Sequence, residues 1–266
     1  MAAKWINQGR RHALYLARYS AAVKGWLAGQ IALPYAYGMR CSRRSLLSLL
    51  AVACLPQAVF AKTQVDLALV LAIDCSYSVD PTEYQLQMRG TGQAFLDPQV
   101  LEAVERGPRK KIAISAFLWS DENVQYVIVP WRLFATVADG REIADVFLRA
   151  PRDLYRGSTA TGSALLFAQS LLDSAPSSLR RVVDVSTDGY ANTGDKVPKM
   201  RAQLIADGIT INGLAIENEA RDLSAYLQTE VTGGDGHFVI KAENYEAYAR
   251  AIKMKLLREI SNADLS

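Results

Sequence analysis

The sequence predicts an α/β domain in which a mostly parallel sheet lies between two layers of helices. The first observation is a continuous apolar run at residues 67–73, which is typical of a strand covered on both faces. The second is that strand-like and helix-like segments then alternate along the chain. The third is the composition, 50% hydrophobic and 21% charged in 266 residues, which disfavours disorder, collagen-like repeats and a polytopic membrane protein.

Hydrophobic periodicity predicts each element in turn. Strands are expected at residues 67–73, 111–118, 124–129, 181–186, 209–216 and 237–240, and helices at 83–96, 141–149, 161–172, 196–207, 222–230 and 245–260. The polar turn at 120–123 predicts an antiparallel hairpin from the second and third strands. The last helix carries one apolar stripe, which favours packing in the core over a partner groove: Tyr245, Tyr248, Ala249, Ile252, Leu256 and Ile260.

Charge is distributed unevenly along the chain. Residues 1–61 contain eight Lys and Arg and no Asp or Glu, whereas residues 62–266 contain 22 basic and 27 acidic residues, a net charge of −5. The overall net charge of +3 therefore hides a mildly acidic body. A nucleic-acid partner, which would require a basic face, is disfavoured.

Residues 39–61 have the pattern of a signal peptide. A basic stretch at 39–44 precedes an uncharged apolar run at 45–54, and Val59-x-Ala61 offers a small-residue cleavage site after Ala61. The pattern predicts export to the periplasm or the medium. The letters S-R-R-S-L-L at 42–47 resemble a twin-arginine signal, and the general secretory route is the alternative.

The predicted mature chain is a single domain at 62–266, with its core at about 65–260. Residues 1–38 are interpreted as an over-extended start before Met39, or as a basic amphipathic leader on a membrane surface. After residue 62 no apolar run approaches the ~20 residues needed to span a bilayer. Cys75 is the only cysteine left in the mature chain, so no internal disulfide is expected.

Polar side chains cluster at three loops of the predicted sheet. Asp74-Cys75-Ser76-Tyr77-Ser78 follows the first strand, residues 156–162 precede the third helix, and Ser186-Thr187-Asp188-Gly189 ends the fourth strand. Ligands of open parallel sheets lie beyond the carboxyl ends of strands. The side chains there offer carboxylate and hydroxyl oxygens, which suit Mg²⁺, with Mn²⁺ and Ca²⁺ as alternatives.

The three segments together resemble the metal-ion-dependent adhesion site of the von Willebrand factor type A (vWA) fold. D-x-S-x-S, G-x-T-x-T-G and T-D-G occur in that order at 74–78, 157–162 and 187–189. The resemblance covers about residues 65–260 and implies a Rossmann-like three-layer αβα fold whose sheet is mostly parallel with one antiparallel edge strand. Residues 182–189 and 236–252 are further similar to an exported bacterial branch of that superfamily whose function is not described.

The resemblance also implies a ligand set and a mechanism. Carried over by motif, the metal ligands are Asp74, Ser76, Ser78, Thr159 and Asp188. The sixth position is left for a Glu or Asp carboxylate of a partner protein, or for water. Partner binding would shift the metal coordination and move the last helix.

Four other residues near these loops receive alternative interpretations. Thr161 replaces Thr159 as a ligand if the second loop is shifted, and Gly189 allows the third loop to turn sharply. Asp184, within the fourth strand, is either a paired structural residue or a group that orients the metal loops. Cys75 is expected to be a buried, inert thiol.

The predicted function is therefore an exported, divalent-metal-dependent protein-binding module for adhesion or scaffolding, and not an enzyme. A phosphatase-like hydrolase with Asp74 as nucleophile is the alternative, but Ser76 stands where a second acid would be expected. Serine hydrolysis is disfavoured because the chain has no G-x-S-x-G motif. A metal that only ties the loops together is the third hypothesis.

Overall fold

The computed structural model describes residues 64–152, 157–218 and 220–261. The predicted leader at 1–38 and signal peptide at 39–61, with its cleavage site at Ala61, lie outside the described residues, and so does the tail after 261. Within the described ranges, the helices are too short or too polar to cross a bilayer.

Six strands form one sheet, and their order confirms the predicted fold class. The sheet order is β3-β2-β1-β4-β5-β6, with β2 and β3 antiparallel and every other neighbouring pair parallel. The hairpin predicted from the polar turn is therefore the antiparallel edge. The strands are β1 (Gln64–Asp74), β2 (Ile112–Trp119), β3 (Gln125–Phe134), β4 (Ser177–Thr187), β5 (Thr210–Ile216) and β6 (Val239–Ala242).

Helices cover both faces of this sheet and bury two separate apolar layers. The first layer packs against α1, α2, α3 and α7, and the second packs against α4, α5, α6 and a π-helical turn at Leu227–Val231. The helices are α1 (Pro81–Leu96), α2 (Pro98–Glu105), α3 (Val137–Arg149), α4 (Thr161–Asp173), α5 (Val197–Ala206), α6 (Leu223–Tyr226) and α7 (Tyr248–Ser261).

The structure differs from the predicted elements in several places. Strand β3 extends to Phe134 beyond the predicted 129, and α3 and β4 each begin four residues earlier than predicted. Helix α2 was not predicted, because only Asp97 separates it from α1; the Asp97 side chain accepts a hydrogen bond from the Gln99 N–H (2.9 Å), and Pro98 follows directly. The segment at 222–230 is a short helix followed by the π-helical turn. The last helix begins at Tyr248, three residues later than predicted.

Candidate metal centre

Strands β1 and β4 bring two aspartates to the same edge of the sheet. They are adjacent and parallel, with Ile73 opposite Ser186, so Asp74 and Asp188 both lie at the carboxyl edge. The order of the strands reverses between β1 and β4, because β2 lies on the outer side of β1 and β5 lies on the outer side of β4. Such a switch point is where open α/β sheets bind their ligands.

The start of α1 fixes the loop that follows β1. The Asp80 side chain accepts hydrogen bonds from the N–H groups of Thr82 (2.6 Å) and Glu83 (2.9 Å), and the Asp80 N–H donates to the Glu83 carboxylate (2.7 Å). This reciprocal cap, with Pro81 as the first helical residue, ends the loop at a defined point. The short loop between Asp74 and Asp80 must therefore place its serines close to the strand end.

The five predicted ligand side chains lie in one cluster. Ser78 Oγ donates to Asp188 Oδ1 (2.7 Å) and lies 3.2 Å from Ser76 Oγ. Thr159 Oγ1 lies 3.4 Å from Ser76 Oγ, and the Ser76 N–H donates to Asp74 Oδ1 (2.8 Å). Residues more than 100 positions apart in the chain therefore meet at one edge of the sheet.

Thr159 is held in place by backbone contacts on both sides. Its N–H donates to Asn192 Oδ1 (2.9 Å), and the N–H of Ala160 donates to the Ser120 carbonyl (2.8 Å). Gly162 is required here because a Cβ at this position would lie 1.9 Å from the Asp195 carbonyl oxygen. This close approach packs the start of α4 against the loop at 195.

Gly189 has no comparable steric requirement, which differs from its predicted role as a turn. The nearest atom to a Cβ added there is Thr159 Oγ1, at an ordinary 3.6 Å. Its N–H instead lies 3.2 Å from Thr187 Oγ1, and this contact helps to orient the threonine hydroxyl.

The two aspartates repel each other in a buried setting. Burial, together with the negative charge of Asp188, raises the pKa of Asp74 to about 7, and hydrogen bonds from Thr187 and Ser76 only partly oppose this. Among the described residues, the ion pairs between basic and acidic side chains do not include Asp74. Electrostatically, this cluster would be stabilised by added positive charge.

The donor set and its spacing fit a small divalent cation. Oxygens at adjacent corners of an octahedral Mg²⁺ shell lie roughly 3 Å apart, because each is about 2.1 Å from the ion. The contacts among Ser76, Ser78, Thr159 and Asp188 range from 2.7 to 3.4 Å. Two carboxylates and three hydroxyls are hard oxygen donors of the kind that Mg²⁺ and Mn²⁺ prefer.

Thr161 and Asp184, the two other candidates near the site, have different surroundings. Thr161 is fully buried, and its Oγ1 has no hydrogen-bond partner among the described residues. Asp184 pairs with Lys255 of α7, whose Nζ lies 2.5 Å from its Oδ1. The paired structural interpretation of Asp184 therefore agrees with its contacts, since its carboxylate is bound to a helix and not to a metal loop.

Two residues at the site were not assigned a role from the sequence. Thr187 Oγ1 donates to Asp74 Oδ2 (2.5 Å), and Tyr245 Oη donates to Asp188 Oδ2 (2.9 Å). Each orients one of the two carboxylates. Thr187 stands within the T-D-G motif, so its position was a usable signal, whereas Tyr245 was read only as an apolar core residue.

Cys75 and His237 carry no chemistry at this site. The Cys75 thiol is buried and donates to the Trp119 carbonyl oxygen (3.3 Å), and burial raises the pKa of this thiol far above neutrality. His237 contacts Thr232 and Gln228, and burial lowers its pKa. In the described structure neither side chain forms a hydrogen bond with the five clustered side chains, and the charge of Asp74 contributes to the raised pKa of Cys75.

Comparison with known families places the chain in one of them. The model of the family described as "Protein of unknown function (DUF1194)" matches residues 64–264, so the chain belongs to that family. The comparison with curated proteins gave no match.

Solved structures show which fold this is. The chain is similar to proximal thread matrix protein 1 from the mussel byssus, whose metal-ion-dependent adhesion site is occupied by zinc: 16% identity, TM-score 0.57, 74% of this chain and 49% of that one. It is also similar to a von Willebrand factor type A protein from Catenulispora acidiphila, with 17% identity and a TM-score of 0.51 over 74% of this chain and 43% of that one.

A third similar structure is the vWF domain of the type V pili tip protein Mfa5 from Porphyromonas gingivalis, with 11% identity and a TM-score of 0.51 over 77% of this chain and 99% of that one. The chain spans about half the length of the byssus protein. These low identities show the fold alone, which is vWA-like.

Proposed function

We propose that this member of the DUF1194 family is an exported protein-binding module that holds a divalent cation, Mg²⁺ by preference, at the carboxyl edge of its sheet. Asp74, Ser76, Ser78, Thr159 and Asp188 would hold the ion. The ion would supply a Lewis-acidic site for a Glu or Asp carboxylate of a partner protein. Export is proposed from the sequence at residues 39–61.

The observation that carries this proposal is the repulsive carboxylate pair within a cluster of hydroxyls. Asp74 and Asp188 are both buried, with 1% and 6% of their surface exposed, and each raises the cost of ionising the other. A divalent cation would remove this cost and would match the oxygen donors around it. A byssus protein of the same fold holds zinc at its corresponding motif, which supports a divalent-cation site here.

The surface around the cluster also favours a protein partner. Tyr77, between the two serines, is 78% exposed, and Tyr190, next to the third loop, is 43% exposed. The Tyr190 hydroxyl donates to the Arg221 carbonyl, and its ring contacts Tyr226 edge-on, so its orientation is fixed. Exposed, pre-oriented tyrosines are typical anchors of protein interfaces.

Binding is favoured over catalysis by the groups around Asp74. A phosphoryl-transfer mechanism would require a general acid or base beside the nucleophile. Ser76 and Thr187 occupy the hydrogen-bonding positions around the Asp74 carboxylate instead. The proposal therefore assigns no catalytic residue.

Cation binding is the first test of the proposal. We expect Mg²⁺ or Mn²⁺ to release or absorb heat in calorimetric titration of the chelator-treated wild type and to raise its melting temperature. Asp188→Asn should lose both effects. Asp145→Asn is the matched control, because it makes the same chemical change at an exposed ion pair with Arg149.

Partner binding is the second test. We expect immobilised wild-type protein to retain a partner from a periplasmic extract only with Mg²⁺ present and to release it on addition of EDTA, whereas Asp188→Asn retains none. If the cation binds but the same partner is retained in EDTA, the metal is structural. The absence of any cation effect on heat and melting would refute the proposal.

A further inference from the structure

A cavity of about 310 Å³ lies at the opposite edge of the sheet from the candidate metal centre. It is lined by the beginnings of β4 and β5, by the loop at 235–236, and by Glu259 near the end of α7. This volume is in the range of small-molecule sites. None of the residues that line it belongs to the candidate metal centre.

One residue of the cavity wall, Glu259, has a buried carboxylate that is only partly hydrogen-bonded. Glu259 is 1% exposed, and its Oε1 accepts hydrogen bonds from Lys255 Nζ (3.0 Å) and Asn212 Nδ2 (3.1 Å). Its Oε2 has no hydrogen-bond partner among the described residues. Because a buried, unsatisfied oxygen is costly, the site is suited to a ligand that donates hydrogen bonds.

A cationic donor would bind this carboxylate oxygen more strongly than a neutral donor. The ammonium of Lys255 is shared between two carboxylates, since its Nζ also lies 2.5 Å from Asp184 Oδ1. The half-buried guanidinium of Arg180 also interacts electrostatically with Glu259. Neither cation donates a hydrogen bond to Glu259 Oε2, and a protonated amine would supply that hydrogen bond.

Arginines on the same wall favour a negative group at the other end of the ligand. Arg180 and Arg181 both line the cavity and are half-buried. One Nη atom of Arg180 donates to the carbonyls of Glu259 and Ile260, and one of Arg181 donates to the Asp207 carbonyl. A guanidinium has five N–H donors, so each arginine has further donors for a carboxylate.

We propose that this cavity binds a small zwitterion, with its ammonium group at Glu259 and its carboxylate at Arg181. The ligand class is an amino acid whose two charges are separated by a short carbon chain. Thr210 and Asn212 are further polar residues of the wall.

The test uses the full chain and a series of probes, namely glycine, β-alanine, 4-aminobutyrate and 6-aminohexanoate. We expect at least one of them to bind in calorimetric titration and to raise the melting temperature. Butylamine and butyrate, which each carry only one of the two charges, should bind at least about tenfold more weakly, because each loses one charged hydrogen-bonding interaction.

Two variants test the location of the site, and a third variant serves as the control. Glu259→Gln and Arg181→Met should each weaken binding of the best probe about tenfold or more. Arg181 is half-buried, so its variant stays informative if Glu259→Gln unfolds. Asp188→Asn should bind the probe like the wild type, which separates this site from the metal centre. The proposal is overturned if no zwitterion binds, or if Arg181→Met binds as tightly as the wild type.

Discussion

Two pairs of buried carboxylates lie in this domain, and their surroundings differ. Asp184 and Glu259 share the ammonium group of Lys255, which is itself fully buried. Asp74 and Asp188 are instead surrounded by hydroxyl groups from Ser78, Thr187 and Tyr245. The first pair is stabilised by a cation of the chain, whereas the second offers neutral oxygens that can coordinate a cation from solution.

The difference separates a buried carboxylate pair with a structural ion pair from one that we propose binds a metal ion. An ion pair inside the protein fixes how α7 packs on β4, since Lys255 and Asp184 belong to those two elements. A carboxylate pair at the sheet edge, beside an exposed loop, is open to an exchangeable ion.

Removal of the internal cation should be the most damaging change. Lys255→Met removes the buried ammonium that Asp184 and Glu259 share, and we expect it to lower the free energy of unfolding by about 3–5 kcal/mol at neutral pH. Urea denaturation measures the loss. The exposed pair Arg106–Glu102 provides the matched control, since Arg106→Met should cost at most about 1 kcal/mol.

A variant with neutral residues at positions 184, 255 and 259 keeps this prediction testable if the single variant does not fold. The triple variant Asp184→Asn, Lys255→Met, Glu259→Gln has no charge at these three buried positions and should recover most of the lost stability. Recovery would locate the damage in the uncompensated charges. A triple variant as unstable as Lys255→Met would point to lost packing instead.

The metal-free protein should lose stability as pH rises through the titration of Asp74. Its pKa is raised from 3.8 to about 7 on folding, so between these values the folded state binds more protons than the unfolded state. The free energy of unfolding should therefore fall with rising pH, by up to about 4 kcal/mol in total. Chemical denaturation in EDTA from about pH 4 to about pH 8 measures this.

Glu259 must be removed from this measurement, because its pKa is also raised to about 7. The comparison is therefore made in a Glu259→Gln background, where adding Asp74→Asn should reduce the pH dependence. Asp184, whose pKa is also raised by burial, contributes to both variants alike. Equal slopes with and without Asp74→Asn would contradict the assignment.

Mg²⁺ should stabilise the protein by binding at Asp74 and Asp188, and this stabilisation should rise with pH. At a concentration 100 times its dissociation constant, a specific ion stabilises the folded state by about 2.7 kcal/mol. Because the ion competes with the proton on Asp74, its affinity should rise with pH up to about 7. Thermal denaturation in Mg²⁺ and in EDTA measures the increase in melting temperature caused by the ion. Lys255→Met should keep this increase if it folds, whereas Asp188→Asn should lose it.

The smallest expected effect concerns the orientation of Asp188. Tyr245→Phe removes the hydroxyl that donates to Asp188 Oδ2 and should weaken Mg²⁺ binding about tenfold, with a stability loss of about 1 kcal/mol. Tyr248→Phe is the control, because its hydroxyl hydrogen-bonds with Thr91 and Ser186 and not with Asp188 in the described structure. Calorimetric titration should show a change in Mg²⁺ affinity for the first variant and none for the second.

Part of the site could be predicted from the sequence because its residues lie in short motifs at strand ends. Asp74, Ser76 and Ser78 follow directly on the first strand, so their place at its carboxyl end could be predicted. Their convergence was expected from strand-like alternation, but residues 76–79 form a hydrogen-bonded turn. Gly162 and the capped start of α1 also have local signals. The buried ion cluster had only a partial signal, namely Asp184 within an apolar strand, because Lys255 and Glu259 lie beside the apolar stripe of the last helix.

The sequence by itself determined the alternation of strands and helices, the antiparallel edge and the order of the polar loops, because periodicity and strand-end motifs are local properties of the chain. Only the tertiary structure decided that Lys255 neutralises Asp184 and that Tyr245 donates to Asp188. Those contacts join residues more than 50 positions apart, and they depend on how α7 and the segment before it pack against β4 and its end. No local pattern specifies that packing.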